Sequence, residues 1–313
     1  MSATFAFVFP GQGSQAVGML DAWGDHPEVA RTLAEASAAL GEDIGALIKT
    51  GPKEQLDLTT NTQPVMLTAG IACYRAWIAE TGLVPAAAAG HSLGEYTALV
   101  ASGALSLADA LPLVRFRAQA MQEAVPVGVG AMYAVLGLDG DTVRTVCKQV
   151  AADSGEVIEA VNFNDPKQTV IAGSKAGADK AAEALKAAGA KRALPLSVSA
   201  PFHSSLMKPA AEQLREKLAA VNFGVQAFPV INNIDVTITP EADALRDALY
   251  RQAFGPVRWV EVIQALKGSG LTHIIECGPG KVLAGMVKRI DAELASATVL
   301  DPASLAEAKA LLG

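Results

Sequence analysis

The residues best placed to do chemistry are one serine, one histidine and the glycines that flank the serine. Gly90-His91-Ser92-Leu93-Gly94 fits the pattern G-x-S-x-G. In that pattern a strand turns sharply into a helix and lifts a serine hydroxyl above a sheet. The flanks suit it: an alanine-rich strand candidate, Val84 to Ala89, runs into the pattern, and Leu93-Gly94-Glu95-Tyr96 opens a helix. Glycine allows a backbone too cramped for a side chain. The unpaired N–H groups of a helix start favour negative charge developing beside them. The chemistry would be covalent attack by serine on an acyl group. So short a pattern recurs by chance, and the plainer alternative is a glycine turn with a helix-capping serine; the strand–turn–helix setting favours the nucleophile.

A serine needs a base, and the chain has four histidines: His26, His91, His203 and His273. His91 adjoins Ser92, and neighbours on such a turn point apart. His26 lies in a polar loop before Pro27. His273 begins an apolar strand, where a satisfied core histidine is the simpler account. His203, in Pro201-Phe202-His203-Ser204-Ser205, sits in a loop at a domain junction, which suits a base. An ordinary surface histidine fits that position equally well on spacing alone.

Several elements must bring these groups together. Phe5 to Phe9 reads as a buried parallel strand. Helical patterns run through Val29–Leu47, Pro64–Thr81 after a polar turn at Thr59–Thr62, and Leu107–Glu123 with Ser106 as N-cap. From about Pro126 the pattern becomes strand Ala131–Leu136, helix Asp141–Ala152, strand Val157–Phe163, strand Gln168–Ala172, helix Lys175–Ala188 and strand Arg192–Val198. That order, β-α-β-β-α-β, predicts a small ferredoxin-like module inserted in a larger domain. The larger domain resumes with helix Pro209–Val221, strands Phe228–Asn232 and His273–Cys277, and a terminal helix Ala303–Leu312. The expected fold class is α/β. A core with a parallel sheet would occupy residues 1–125 and 199–313, and the ferredoxin-like subdomain residues 126–198.

Composition sets limits. With 313 residues, 51% hydrophobic and 18% charged, the chain can bury a large core and is not disordered. A net charge of -7 and a pI near 5.2 argue against a nucleic-acid partner. Three scattered cysteines, Cys73, Cys147 and Cys277, suggest neither a disulfide framework nor a zinc site, and point to the reducing cytoplasm. The first ten residues resemble neither a signal peptide nor a membrane span.

Taken in chain order, further segments resemble the malonyl-CoA:acyl carrier protein transacylase family. They are Phe9-Pro10-Gly11-Gln12-Gly13-Ser14-Gln15, Asn61-Thr62-Gln63-Pro64, the serine turn through Tyr96, Arg117 with Met121-Gln122, Pro201-Phe202-His203, Asn232-Asn233 and Gly278-Pro279-Gly280-Lys281. The match spans nearly the whole chain, and it implies an α/β-hydrolase-like core that carries the inserted ferredoxin-like subdomain. The resemblance implies that Ser92 attacks the thioester of malonyl-CoA and that His203 is its base. The base would be oriented by the main-chain carbonyl of Gln252 in place of a carboxylate. The backbone N–H groups of Gln12 and Leu93 would form the oxyanion hole. Arg117 would bind the malonyl carboxylate through two parallel hydrogen bonds, whereas nearby Arg115 reads as a solvated helix arginine. Phe202 would crowd a branched extender such as methylmalonyl, and Gln63 and Asn162 would line the site. The partners implied are malonyl-CoA and acyl carrier protein, with no resident cofactor or metal: coenzyme A and phosphopantetheine enter as parts of substrates. Neither nucleic acid nor a membrane is an expected partner.

A carrier protein is usually acidic, so Lys186, Lys191, Arg192, Lys281, Lys288 and Arg289 are candidate docking residues. The Gly278–Lys281 turn either meets coenzyme A phosphates or is a plain tight turn. The alternatives are a serine thioesterase or other hydrolase, a polyketide-type acyltransferase of different acyl preference, and a catalytically silent scaffold. Fatty-acid and polyketide synthesis are both compatible with the residues.

Overall fold

The computed structural model describes residues 4–198 and 200–313, so residues 1–3 and Ser199 of the segments above lie outside it. Nine strands occur among the described residues. They are β1 (Phe5–Phe9), β2 (Ala87–Gly90), β3 (Gly130–Leu136), β4 (Ile158–Asp165), β5 (Gln168–Ser174), β6 (Arg192–Pro195), β7 (Val230–Ile231), β8 (His273–Cys277) and β9 (Ala295–Val299).

Period-two alternation in β1 sorts its side chains by size. Phe5, Phe7 and Phe9 face one apolar cluster, while Ala6 and Val8 face the other. The aromatic side packs on the helix Thr59–Thr81, where Trp77 meets Phe7 edge-on at 5.5 Å between ring centroids. The opposite side is covered by Trp259, Val262 and Ile263 of the helix Trp259–Gly268 and by Leu283 and Val287 of the helix Val282–Ile290. Burial on both faces is the usual state of a parallel sheet.

The larger sheet has the order β7-β2-β1-β8-β9 and every pairing in it is parallel. Its strands therefore end along one edge, and the direction of winding reverses at β1, which has β2 on one side and β8 on the other. A crevice at such a reversal is where open α/β sheets bind ligands. The smaller sheet is antiparallel, order β4-β5-β3-β6, with the helices Gly140–Ser154 and Lys175–Ala187 packed against it. This is the ferredoxin-like arrangement expected from the element order.

The smaller sheet is stitched to the rest of the chain at β4. Val257 donates its N–H to the Val161 carbonyl at 2.8 Å and accepts from the Phe163 N–H at 3.0 Å. At the end of β4, Asp165 accepts from Arg289 Nε at 2.7 Å, tying the small sheet to the helix Val282–Ile290.

Several expected boundaries move. The pattern Val29–Leu47 is two helices, Pro27–Leu40 and Ile44–Thr50, because Gly41 ends the first in the left-handed conformation. The polar Thr59–Thr62 is not a turn before a helix but its first turn. There Thr62 Oγ1 donates to the carbonyls of Leu56 and Leu58, and Pro64 is accommodated near the start. The strand at Phe228–Asn232 shortens to β7. The edge strand β9 and the helices Ala242–Gln252 and Trp259–Gly268 were not expected from the sequence. No helix among the described residues is long and apolar enough to cross a membrane.

Candidate active site

The serine turn is backbone packed on backbone. A Cβ on Gly94 would lie 2.0 Å from the Phe9 carbonyl oxygen, so only glycine lets the helix Leu93–Ala101 start this close to β1. A Cβ on Gly11 would lie 2.6 Å from the His91 carbonyl oxygen, which is how the loop after β1 reaches the same turn. Ser92 itself sits at φ 52°, ψ -107°, where a residue with a side chain is strained. Asn233, just past β7, holds it there. Its Oδ1 accepts the Ser92 N–H at 2.8 Å, and its Nδ2 donates to the Gly90 carbonyl at 2.7 Å.

Of the four histidines, His203 is the one that reaches the serine. Its Nε2 lies 2.7 Å from Ser92 Oγ. Its Nδ1 lies 3.0 Å from the main-chain oxygen of Gln252. A carbonyl oxygen only accepts, so Nδ1 carries the proton and Nε2 is left to accept the serine hydroxyl. Burial, with the Arg117 charge added, pushes the His203 pKa down to about 3, so the ring is neutral and proton-accepting at ordinary pH. The other three are engaged elsewhere. His91 Nε2 donates to Asn164 Oδ1 at 2.8 Å, and the ring lies against Trp259. His26 caps the helix Pro27–Leu40, and His273 contacts Thr272.

Arg117 is 2% exposed. Its Nη1 donates to Gln63 Oε1 at 2.8 Å, and its Nη2 to Gln252 Oε1 at 3.0 Å and Ser92 Oγ at 3.3 Å. The guanidinium lies 5.4 Å from the Tyr96 ring centre. Arg117 forms no ion pair among the described residues, whereas Arg115 pairs with Glu42 through two hydrogen bonds. Burial works against the Arg117 charge, and the nearby Tyr96 and Glu95 support it.

The cleft above the serine encloses about 230 Å³ between the two sheets. Gln12, Gln63, Ser92, Leu93, Arg117, Asn162, Phe202 and His203 all line it, and Gln252 is fully buried beneath them. The residues to which the family resemblance gives a catalytic or acyl-binding role are therefore at one place. Leu93 is the first residue of its helix, and Gln12 is held by a hydrogen bond from its Nε2 to Thr59 Oγ1 at 3.2 Å. Much of the remaining wall is apolar, including Met121, Met132, Val198, Leu283 and Met286.

Two residues, Asn233 and Glu95, and the side chain of a third, Gln252, have parts that the sequence does not assign. Asn233 and Glu95 were seen only as parts of motifs, without a task, and Gln252 was expected to act through its carbonyl alone. Nothing in spacing announces that an amide 141 positions along the chain will hold the serine.

The Gly278–Lys281 turn leads into a helix start that is already satisfied from within the chain. The start of the helix Val282–Ile290 is already occupied by the Glu276 carboxylate, which is fully buried and accepts the Ala284 N–H at 2.8 Å. Burial raises the Glu276 pKa to about 7 even though N–H groups of that helix start favour its charge. Among the described residues no group of three or more His, Cys, Asp or Glu could hold a metal.

Comparison with known proteins agrees with this geometry. The family described as acyl transferase domain matches residues 6–302. The malonyl CoA-acyl carrier protein transacylase of Escherichia coli (strain K12) is 51% identical over 305 residues, covering 97% of this chain and 98% of its own length. Its namesake in Bacillus subtilis (strain 168) is 45% identical over 301 residues, covering 96% and 94%. The crystal structure of acyl-carrier-protein S-malonyltransferase from Burkholderia pseudomallei 1710b is similar at TM-score 0.95 and 65% identity, covering 97% of this chain and 99% of that one. A solved complex of a type II PKS acyl-carrier protein with its malonyl-transacylase is similar at TM-score 0.95 and 50% identity, covering 98% and 99%. With likeness of this extent in both sequence and fold, the chain belongs to the malonyl-CoA:acyl carrier protein transacylase family.

Proposed function

We propose that this chain moves malonyl from malonyl-CoA to the phosphopantetheine thiol of an acyl carrier protein, through a malonyl ester on Ser92. The observation that carries this reading is the 2.7 Å contact between Ser92 Oγ and His203 Nε2 beside a buried arginine that has no carboxylate partner among the described residues. Family membership supports the same donor and acceptor.

In the first half-reaction the Ser92 proton passes to His203 Nε2 as Oγ bonds to the thioester carbonyl carbon. The carbonyl oxygen takes the negative charge, facing the N–H groups of Gln12 and Leu93. One such donor is worth about 3–4 kcal/mol in other enzymes. The C–S bond then breaks, and coenzyme A leaves with the proton from His203. In the second half, the phosphopantetheine thiol gives its proton to His203. Its sulfur bonds to the ester carbon, the C–O bond breaks, and Ser92 recovers the proton.

Arg117 touches Ser92 Oγ, so its guanidinium lies within reach of a carboxylate on the acyl group carried there. Acetyl leaves that buried charge without an ionic partner. Removing one member of a buried pair costs about 3–5 kcal/mol, enough for strong preference. Phe202, 9% exposed on the cleft wall, limits the space for a branched extender. Gln63 holds Arg117, and Asn162 supplies polar lining.

We divide the chain as catalytic core, 1–125 and 199–313, and subdomain, 126–198; the cleft uses both. Carrier docking is assigned to Lys186, Lys191, Arg192, Lys281, Lys288 and Arg289, all exposed, with Arg289 already paired to Asp165. Three buried free thiols support a cytoplasmic location.

Brief incubation with malonyl-CoA should add one malonyl group to the intact protein by mass and none to Ser92→Ala. The adduct should persist until a thiol acceptor is added; rapid loss to water would mark a hydrolase instead. In donor competition, Arg117→Ala should lose malonyl transfer far more than acetyl transfer, and Phe202→Ser should gain methylmalonyl use. Equal losses for the two donors sink the Arg117 role, and unchanged methylmalonyl use sinks that of Phe202. The depressed His203 pKa keeps the base neutral as pH falls through 6.5. The acid limb of kcat/KM for Ser92 loading should therefore fall well below that pH, and a midpoint at 6.5 would contradict a buried base. Affinity for the carrier protein should weaken as salt rises; insensitivity would remove the basic patch.

A further inference from the structure

Glu95 lies in the first turn of the helix that begins beside Ser92, is 1% exposed, and has no step in the mechanism above. Its Oε2 accepts two N–H groups: the main chain of Asn233 at 2.8 Å and Nε2 of Gln252 at 3.1 Å. The Gln252 Nε2 also donates to the Ser92 carbonyl at 3.0 Å. An amide has a donor end and an acceptor end, so fixing one fixes the other. With Nε2 held by Glu95 and Ser92, Oε1 is turned to accept Arg117 Nη2 at 3.0 Å. A flipped amide would set its NH2 against the guanidinium and its oxygen against the carboxylate, and both contacts are repulsive.

Gln63 holds the other end of the guanidinium. The arginine is thus fixed by two neutral amide oxygens, and the compensating charge stands one amide further away. A carboxylate bonded directly to Arg117 would occupy N–H groups that an acyl carboxylate needs. Placed behind Gln252, Glu95 orients the arginine without competing for it.

We propose that Glu95 is a specificity-determining positioning residue: through the Gln252 amide it fixes the Arg117 guanidinium where a free acyl carboxylate must meet it. This rests on the carboxylate-binding role given to Arg117 above. The second bond of Glu95, to Asn233, leads to the Ser92 backbone and affects every acyl donor alike. The Gln252 contact with the Ser92 carbonyl likewise acts on every donor, so the ratio between donors isolates the effect on Arg117. Burial raises the Glu95 pKa to about 7, opposed by Gln252, Asn233 and Arg117, and the protonated group still offers an oxygen acceptor.

The experiment measures kcat/KM for Ser92 loading from malonyl-CoA and from acetyl-CoA. Glu95→Ala should lower the malonyl-to-acetyl ratio about tenfold, the scale of one lost hydrogen bond to a charged group, and chiefly through a higher KM for malonyl-CoA. Glu95→Gln, which keeps an oxygen in the same place, should restore most of the ratio. Should the alanine variant fail to fold, Glu95→Asp, which withdraws the oxygen by one methylene, must produce the same fall. Equal losses for both donors, or no rescue by glutamine, overturn the proposal. Arg117→Ala in the same assay separates the two claims. If it leaves the ratio unchanged, the arginine reading fails and this inference with it. If it collapses the ratio while Glu95→Ala does not, this inference alone fails.

Discussion

At Ser92 the chain turns from strand to helix through a left-handed residue that bears a side chain. A conformation of that kind costs of order 1–3 kcal/mol and persists only where its surroundings hold it. Here they do so from three directions. The Phe9 carbonyl accepts the His91 N–H at 3.0 Å, Asn233 grips the backbone on both sides of the turn, and Gly94 lets the helix lie against β1. The strained turn sets where the hydroxyl stands, and His203, Gln252 and Arg117 are placed relative to it. His203 has a positive φ of its own, 65°. Both members of the 2.7 Å pair are therefore aimed by backbones that would relax elsewhere in the absence of tertiary contacts.

Burial then does two different things to the two nitrogenous side chains. It removes the proton from imidazole, whose ordinary pKa is close enough to neutrality for desolvation to decide its state. It lowers the pKa of guanidinium too, but from a value so high that the group stays charged. One cleft thus holds a neutral base and a permanent cation a few ångströms apart, and the cation helps keep the base neutral.

The sequence carried the strand–turn–helix motif and the split β-α-β-β-α-β unit, because both are local patterns of period and turn chemistry. His203, Arg117, Gln12 and Gln252 acquired roles through family resemblance, since their spacing alone left each one ambiguous. What stayed illegible had no local signal. The edge strand β9 is alanine, serine and threonine, mostly half-buried, until Val299, so no apolar run marks it. The polar Thr59–Thr62 looked like a turn because its helix-stabilising bonds go to carbonyls of the preceding segment. Asn233, Glu95 and the Gln252 side chain act only after β7 and the helix Ala242–Gln252 have folded against the serine turn.

The choice of partners at the site follows from the charge of the group it is proposed to receive. A serine–histidine pair is commonly oriented by a carboxylate, but here a main-chain oxygen takes that position. Two opposite charges about 4 Å apart attract by about 4 kcal/mol at an effective dielectric of 20. A carboxylate beside His203 would stand close enough to Arg117 to compete for it, and would repel an incoming malonyl carboxylate. Neutral oxygens from Gln63, Gln252 and Asn233 orient the same groups without adding negative charge to the cleft. The carboxylate of Glu95 is set behind an amide, where its field supports the arginine and its oxygens do not meet it. A site proposed to accept an anion beside a base can in this way hold its cation on neutral oxygens until a substrate supplies the counter-charge.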